Sequence, residues 1–242
     1  MAIQENSQTS LTAVRRDIRA LGSAERSKHS LRFFRTGPGE YGEGDKFLGL
    51  TVPEMRAIAK RHRDLAHDDV LKLLQSEWHE ERLVALVLLV EAFQRGDDDR
   101  RARIHRAYLA NTKRINNWDL VDASAAAIVG GYLEPDKISL LEKLARSTDL
   151  WERRIAIVAT FHFIKNHQLA PTLCIAEMLL EDTHDLIHKA VGWMLREVGK
   201  KDLKVLDAFL VKHYRAMPRT MLRYAIERHP EPMRKRYLVG TI

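Results

Sequence analysis

The sequence is poor in the residues that build disulfide-linked or membrane-spanning proteins. Its 242 residues include a single cysteine, Cys174, which excludes an intrachain disulfide and a thiolate metal cluster. We interpret this cysteine as a small buried side chain. The longest apolar run, residues 83–90, is too short to cross a bilayer, and the first thirty residues lack the apolar centre of a signal peptide. These absences predict a reducing, intracellular compartment, a cytoplasmic location and no membrane partner.

Metal-ligand and nucleophile motifs are also missing. The eleven histidines form neither an HExxH motif nor a Cys/His ligand set. Those in the second half, His162, His167, His184 and His188, are scattered. No serine lies in a nucleophile-elbow motif. The sequence therefore predicts no metal site and no serine nucleophile.

Positive charge exceeds negative charge. There are 40 Lys and Arg residues against 33 Asp and Glu residues, which gives a formal net charge of +7. This balance is compatible with a polyanionic partner. The hydrophobic content of 45% is enough to bury a core, so we predict one domain over residues 1–242, with a frayed N-terminus at residues 1–10.

Helical periodicity dominates the chain, and no run of alternating polar and apolar residues indicates a β-strand. Five long segments each begin with a polar or aromatic residue, continue with a charged pair and end in an apolar helix. Their starts recur at roughly 33 to 40 residues, with shorter helices between them, which is typical of HEAT or armadillo repeats. We predict an all-α helical repeat solenoid of this type, with an irregular helical bundle as the alternative. The segments are EWHEERLVALVLLVEAF, NNWDLVDASAAAIVGGYL, DLWERRIAIVATFHFIK, DLIHKAVGWMLREVGKKD and AMPRTMLRYAIERH.

One long irregular segment, residues 35–55, interrupts this pattern. Its five glycines between positions 37 and 49 exclude a regular helix, and it matches neither a Walker loop nor a dinucleotide fingerprint. We predict an ordered connector in which Thr51 caps a helix that runs from Pro53 onward. Its side chains predicted to pack inward are Tyr41, Phe47 and Leu48.

Residues 116–131, NNWDLVDASAAAIVGG, contain the first candidate site. Trp118 and Asp122 are four residues apart and therefore share one side of a helix. Their neighbours on that side offer no polar group to the carboxylate. These neighbours are Ala125, Ala126 and Val129.

Residues 186–201 combine a regular apolar stripe with an unusual opposite face. That face brings Trp193 together with Lys189, Arg196 and Lys200. An aromatic ring for stacking among cations for phosphates is typical of a nucleic-acid surface. A surface tryptophan covered by a neighbouring loop is the alternative. The stripe consists of Ile187, Ala190, Val191, Met194, Leu195 and Val198.

Arg154 lies on a helix that is apolar nearly all round. An unpaired guanidinium there would cost several kcal/mol, so it requires an anion, from either a protein ion pair or a phosphate. In stacked repeats, Asp122, Arg154 and Lys189 occupy equivalent positions and line one concave basic strip, beside Trp118 and Trp193. An acid in such a strip fits glycosidic cleavage, in which a carboxylate stabilises positive charge on the sugar. A salt bridge between Asp122 and Arg154 without catalysis is the alternative.

These residues resemble a known family, the HEAT-like-repeat alkylpurine DNA glycosylases of the AlkD type. The resemblance rests on four motifs that occur in the family's order over roughly residues 30 to 230. They are FLGLTVPEMR at 47–56, WDLVD at 118–122, WERRIAI at 151–157 and AVGWMLRE at 190–197.

The resemblance implies an enzyme that removes N3- and N7-alkylated purines from duplex DNA by hydrolysing the N-glycosidic bond, without a metal or cofactor. It implies that Asp122 stabilises the sugar cation and orients water, and that Trp118 and Trp193 contact the lesion-bearing nucleotide. It also implies that Arg154 binds a phosphate near the lesion and that Arg196 assists there. Lys189 and Lys200 complete the predicted DNA-binding set. We expect a monomer.

One position departs from the family. Relatives can carry a tyrosine near the sequence LRFF, where this chain has Phe33 and Phe34, so ring packing is kept but a hydroxyl contact to DNA is lost. Two other functions stay open. A non-catalytic HEAT-like protein that binds damaged or branched DNA shares the basic groove, whereas a protein-binding α-solenoid predicts an apolar concave face.

Overall fold

A computed structural model describes residues 9–242 of the protein. Most of the predicted frayed N-terminus, residues 1–8, lies outside the described residues, and Ser10 caps the first helix by accepting from the amide of Ala13. Within residues 9–242 there is no β-strand; Lys46 and Trp78 form an isolated parallel β-bridge. The all-α prediction is confirmed, and the helix order is consistent with a helical repeat solenoid.

The chain divides into two compact units, Met1–Ser124 and Ala125–Ile242, and the division falls inside a helix. The prediction of one domain stays a prediction. The first unit contains α1 (Leu11–Ala20), α2 (Ala24–Phe33), α3 (Val52–Arg61), α4 (His67–Leu74), α5 (His79–Arg95) and α6 (Asp98–Ala110), followed by a 3-10 turn (Thr112–Arg114). α7 (Trp118–Ile128) crosses the division.

The second unit begins with the end of α7, followed by a 3-10 turn (Gly130–Tyr132) and eight helices. They are α8 (Ser139–Ala145), α9 (Leu150–Ala159), α10 (Phe161–Lys165), α11 (Ala170–Met178), α12 (Asp185–Lys201), α13 (Leu203–His213), α14 (Arg219–Ala225) and α15 (Glu231–Val239).

The five predicted long segments all contain helices at the expected places. The helices α5, α7, α9, α12 and α14 start 32 to 39 residues apart, with shorter helices between them. In the second unit, α12 packs against α9, α13 and α14, so the longest helix of that unit forms its centre. The apolar stripe predicted for this helix, from Ile187 to Val198, is buried, which confirms it. No helix within residues 9–242 is long and apolar enough to cross a membrane.

The glycine-rich connector between α2 and α3 is ordered, as predicted. Thr51 caps α3 in a capping box with Glu54, and Phe47 is buried, while Tyr41 and Leu48 are half-buried. Gly49 has a φ of +86°, and a Cβ atom there would lie 2.4 Å from the carbonyl oxygen of Ser23. Only glycine fits this position, where the connector passes close to the start of α2.

Candidate functional site

A cavity of about 260 Å³ lies along α7 within the first unit. Trp118, the first residue of α7, and Asp122, one turn later, both line it, as expected for residues on one side of a helix. Apolar residues of α3 and α5 form much of the remaining wall, so the carboxylate of Asp122 lies in a largely apolar concavity. The other lining residues are Val52, Met55, Arg56, Leu83, Val87, Asp119 and Ala123.

Polar side chains do surround Asp122, although its predicted neighbours on one side of α7 are apolar. The exposed Arg56 of α3 and a second acid of α7, Asp119, line the same cavity. Burial raises the pKa of the Tyr108 phenol, and the negative charge of Asp122 raises it further. The cavity therefore carries two carboxylates and one cation.

The ring of Trp118 is held by the end of α2. It stacks on Phe34, with ring centroids 5.4 Å apart, and meets the edge of Phe33 at 5.8 Å. Phe33 is 55% exposed, so apolar surface remains open beside the tryptophan. The two phenylalanines that depart from the family pattern thus do keep ring packing, here against Trp118.

Behind the cavity lies a buried network that the sequence analysis did not identify. His79 donates from Nε2 to Asp119 Oδ2 at 2.8 Å and from Nδ1 to Asp45 Oδ2 at 3.3 Å. Arg82 donates to Asp45 Oδ1 at 2.7 Å, and Asn117 donates to Asp45 Oδ2 at 3.3 Å. Burial alone would raise the pKa of Asp45, but the hydrogen bond from His79 and the charge of Arg82 hold it below its usual value.

The neighbouring Glu80 fixes the connector to the start of α5. Its carboxylate, 2% exposed, accepts hydrogen bonds from the backbone amides of Leu48, Gly49 and Leu50. Leu48 and Gly49 lie within the glycine-rich segment for which the sequence offered no chemistry. The segment therefore has a structural anchor in Glu80 and supplies Asp45 to the network behind the cavity.

Arg154 lies in the second unit and is buried, with 5% of the residue exposed. Its Nη1 donates to the carbonyl oxygen of Leu186 at 2.7 Å, which connects α9 to the first turn of α12. This carbonyl oxygen is neutral, so the contact does not test the prediction that the guanidinium requires an anion. Its predicted binding to a phosphate stays a prediction.

The polar face of α12 carries the remaining predicted residues. Trp193 is half-buried and packs against Phe161, with ring centroids 5.9 Å apart. All three predicted cations have carboxylate partners, so the face is less positive than the sequence indicated. Lys189 pairs with Asp185 at 2.6 Å, Lys200 with Glu197 at 2.7 Å, and Arg196 with Glu227 and with Glu197.

Within the described residues 9–242, no group of three or more His, Cys, Asp or Glu side chains is arranged to hold a metal ion.

Among the predicted site residues, the structure brings together Trp118 and Asp122 in the first unit. It brings together Lys189, Trp193, Arg196 and Lys200 on α12 in the second unit, and connects Arg154 to the start of that helix.

One signal in the sequence marked the missed network. The four residues at the start of α5, His79, Glu80, Glu81 and Arg82, are consecutive and polar, yet each is at most 2% exposed. The layout of the repeats assigned them only as a charged lead-in to an apolar helix. Their burial follows from partners in other parts of the chain, such as Asp45 and Arg15.

Comparison with known proteins places the chain in a family. The family model of the DNA alkylation repair enzymes matches residues 14–229, and the chain belongs to this family. A solved structure described as a predicted DNA alkylation repair enzyme from Enterococcus faecalis is similar, with a TM-score of 0.66. The two share 16% sequence identity, over 87% of this chain and 97% of that one, so this likeness shows a common fold. No curated protein sequence matches the chain.

Proposed function

We propose that the protein is a monofunctional DNA glycosylase that hydrolyses the N-glycosidic bond of N3- and N7-alkylated purines in duplex DNA. Membership of the DNA alkylation repair enzymes supports DNA repair as the setting. The observation that carries the specific activity is the cavity in which Asp122 lies beside the ring of Trp118. This arrangement suits a reaction that develops positive charge on a sugar held against an aromatic ring.

The proposed reaction needs only water as co-reactant. The bond between C1′ and the purine nitrogen breaks, and its electron pair leaves with the purine and neutralises the positive charge of the alkylated base. The sugar then carries the cation, which the carboxylate of Asp122 stabilises. Water adds to C1′ and gives a proton to Asp122, from which the proton passes to solvent.

The aromatic and basic residues are assigned to binding. The ring faces of Trp118 and Trp193 contact the lesion-bearing nucleotide, and Arg154 binds a backbone phosphate close to the lesion. The cations of α12 bind phosphates by exchanging their carboxylate partners for phosphate oxygens. These cations are Lys189, Arg196 and Lys200. Double-stranded DNA is the partner, bound by a monomer without a cofactor.

Replacing Asp122 by Asn tests this proposal. Under single-turnover conditions we expect wild type to release 7-methylguanine from methylated duplex DNA and Asp122→Asn to be slower by at least about a hundredfold. Its DNA affinity should stay equal or increase slightly, because a charge that repels phosphate is removed. Asp64→Asn is the control, since Asp64 is an exposed acid of the same unit that does not line the cavity.

Equal release rates for wild type and Asp122→Asn would contradict the mechanism. If wild type released neither 7-methylguanine nor 3-methyladenine but still bound duplex DNA tightly, the protein would be a binding module rather than a glycosylase.

A further inference from the structure

A chain of three side chains leads from the glycine-rich connector to the cavity. Asp45 in the connector, His79 at the start of α5 and Asp119 in the first turn of α7 are joined through the two ring nitrogens of the histidine, at 3.3 Å and 2.8 Å. Asp119 lines the cavity together with Asp122. The mechanism proposed above uses Asp122 and leaves this second carboxylate without a role.

The middle of this chain is enclosed by aromatic rings. His79 is 2% exposed, and its ring lies 4.5 Å from the ring of Phe47 and 4.9 Å from that of Phe34. Phe34 also stacks on Trp118, the ring that lines the cavity. The histidine therefore cannot turn without disturbing the packing that holds Trp118.

The charges around His79 favour its doubly protonated form. Burial lowers the pKa of the imidazole, but Asp119 and Asp45 outweigh burial and the repulsion from Arg82, and they raise the pKa to about 9. At neutral pH both ring nitrogens carry a proton, so the imidazolium donates to both acids at once. The hydrogen bond from His79 fixes the position of the Asp119 carboxylate.

Asp119 retains the capacity to accept a hydrogen bond from a ligand. Its Oδ1 accepts the amide of Leu120 at 2.9 Å, and its Oδ2 accepts from His79. Each carboxylate oxygen can accept two hydrogen bonds, and the Asp119 side chain is 16% exposed. A purely structural acid of this network already exists in Asp45, which is buried and has four donors: His79, Arg82, Asn116 and Asn117.

We propose that Asp119 is a second carboxylate that acts on the cationic nucleotide together with Asp122, and that His79, backed by Asp45, is the residue that positions it. This inference rests on the proposed function, because it takes the nucleotide at the cavity to be the one attacked there. It goes further by assigning charge selection to Asp119. Preorganised negative charge stabilises a developing cation more than it stabilises a neutral ligand.

The charge of His79 has a second consequence in this arrangement. Two carboxylates that line one cavity repel each other. The imidazolium offsets the charge of Asp119 from behind, and Arg56 offers a positive charge from α3. Removing the imidazolium takes away this compensation and the hydrogen bond that positions Asp119, so His79→Gln should lose the same charge selection as Asp119→Asn.

Binding of two abasic-site analogues tests charge selection independently of base release. One duplex carries a pyrrolidine in place of the sugar, which is cationic at neutral pH, and the other carries a neutral tetrahydrofuran. We expect wild type to prefer the cationic duplex, and Asp119→Asn to reduce the ratio of the two dissociation constants about tenfold. Asp64→Asn, which removes an equal charge from the surface of the same unit, should keep the wild-type ratio.

The same pair of duplexes tests the role of His79. In His79→Gln the preference for the cationic duplex should fall severalfold, because Asp119 loses the side chain that positions it. The double variant His79→Gln with Asp119→Asn should lose no more than Asp119→Asn alone, because both changes act on the same carboxylate. A histidine that only supports the fold would instead weaken the binding of both duplexes and leave their ratio unchanged.

The outcomes separate this inference from the proposed function. If wild type releases 7-methylguanine but Asp119→Asn keeps the full preference for the cationic duplex, the inference is wrong and the glycosylase stands. If wild type shows no preference for the cationic duplex, the inference is wrong whether or not base is released. Absent release together with an Asp119-dependent preference would refute the glycosylase and retain the charge-selecting acid.

Discussion

The two units place their charged side chains in different surroundings. In the first unit, Asp45, His79 and Arg82 are each at most 7% exposed, and each has a fixed partner behind the cavity. In the second unit, the side chains of Lys189 and Lys200 on α12 are 41% and 42% exposed and pair with acids of their own helix. Buried charges with fixed partners define a geometry, whereas exposed pairs exchange partners at little cost.

This difference is consistent with different roles for the two units, one in catalysis and one in phosphate binding. Positions that act on a reacting group need side chains that are held in place before the substrate arrives. Phosphate binding along a backbone needs cations that can leave an intramolecular partner for an incoming anion. Under the proposed function, the cavity of the first unit would act on the reacting sugar and the polar face of α12 would bind phosphates.

The largest effect on stability should come from the buried acid that anchors the connector. In Glu80→Ala the amides of Leu48, Gly49 and Leu50 lose their acceptor, and we expect the free energy of unfolding to fall by about 3 to 5 kcal/mol. Urea unfolding measures this loss, and hydrogen exchange should show faster exchange at these three amides.

Glu231→Ala provides the matched control for a surface pair. Glu231 pairs with Lys235, and both side chains are 72% exposed, so the expected loss is below about 1 kcal/mol. Similar losses for the two variants would contradict the contrast between buried and exposed charges.

An intermediate effect should appear as a pH dependence of stability. The pKa of His79 is raised to about 9 in the folded protein, so its contribution is complete below pH 6.5 and is lost as pH rises from about 6.5 to 9. We expect the free energy of unfolding to decline by a few kcal/mol across this window. Urea unfolding of wild type and His79→Gln at pH 6, 7.5 and 9 measures the decline, which should be absent from the variant.

Four other histidines with shifted pKa values do not produce this decline. The pKa values of His67, His105, His162 and His184 are lowered, for which burial is the largest cause, so their effect on stability is complete by about pH 6.5. Asp45→Asn provides a second variant, because it removes one of the two acids that face His79. The pKa of His79 should be lower in this variant, so the decline in stability should end at a lower pH. A wild-type protein equally stable at pH 6.5 and pH 9 would argue against a charged His79.

The sequence predicted the parts of this molecule that depend on local periodicity. The apolar stripe from Ile187 to Val198 repeats every three or four residues, and so it identified α12 and its buried face. Thr51 followed by Pro53 identified the start of α3, because capping depends on a few adjacent residues. Trp118 and Asp122 shared a helix side for the same reason.

The sequence could not predict contacts between distant segments. His79 meets partners 34 and 40 residues away, at Asp45 and Asp119, and neither spacing corresponds to a helical period. One of the two acids that pair with Arg196 was likewise beyond the reach of the sequence. Glu197 is adjacent to Arg196, but Glu227 lies beyond α14. Long-range pairing is therefore the part of the site that only the folded structure supplies.

The smallest expected effect is a gain in DNA affinity when an acid of the α12 face loses its charge. Glu197 accepts from Lys200 at 2.7 Å and lies 3.6 Å from the Nε of Arg196. Glu197→Gln removes a charge that competes with phosphate for both cations, so we expect duplex DNA to bind a few-fold more tightly at low salt. Titrations at several salt concentrations measure this gain, which should shrink as salt rises.

Glu231→Gln changes the net charge of the protein by the same amount at the exposed pair on α15 and serves as the control. A gain in both variants would reflect net charge alone and would assign no special place to α12. A gain confined to Glu197→Gln would mean that the cations of this helix meet the phosphates. No gain in either variant would remove the α12 face from the DNA-binding surface and leave Arg154 and the first unit to bind the duplex.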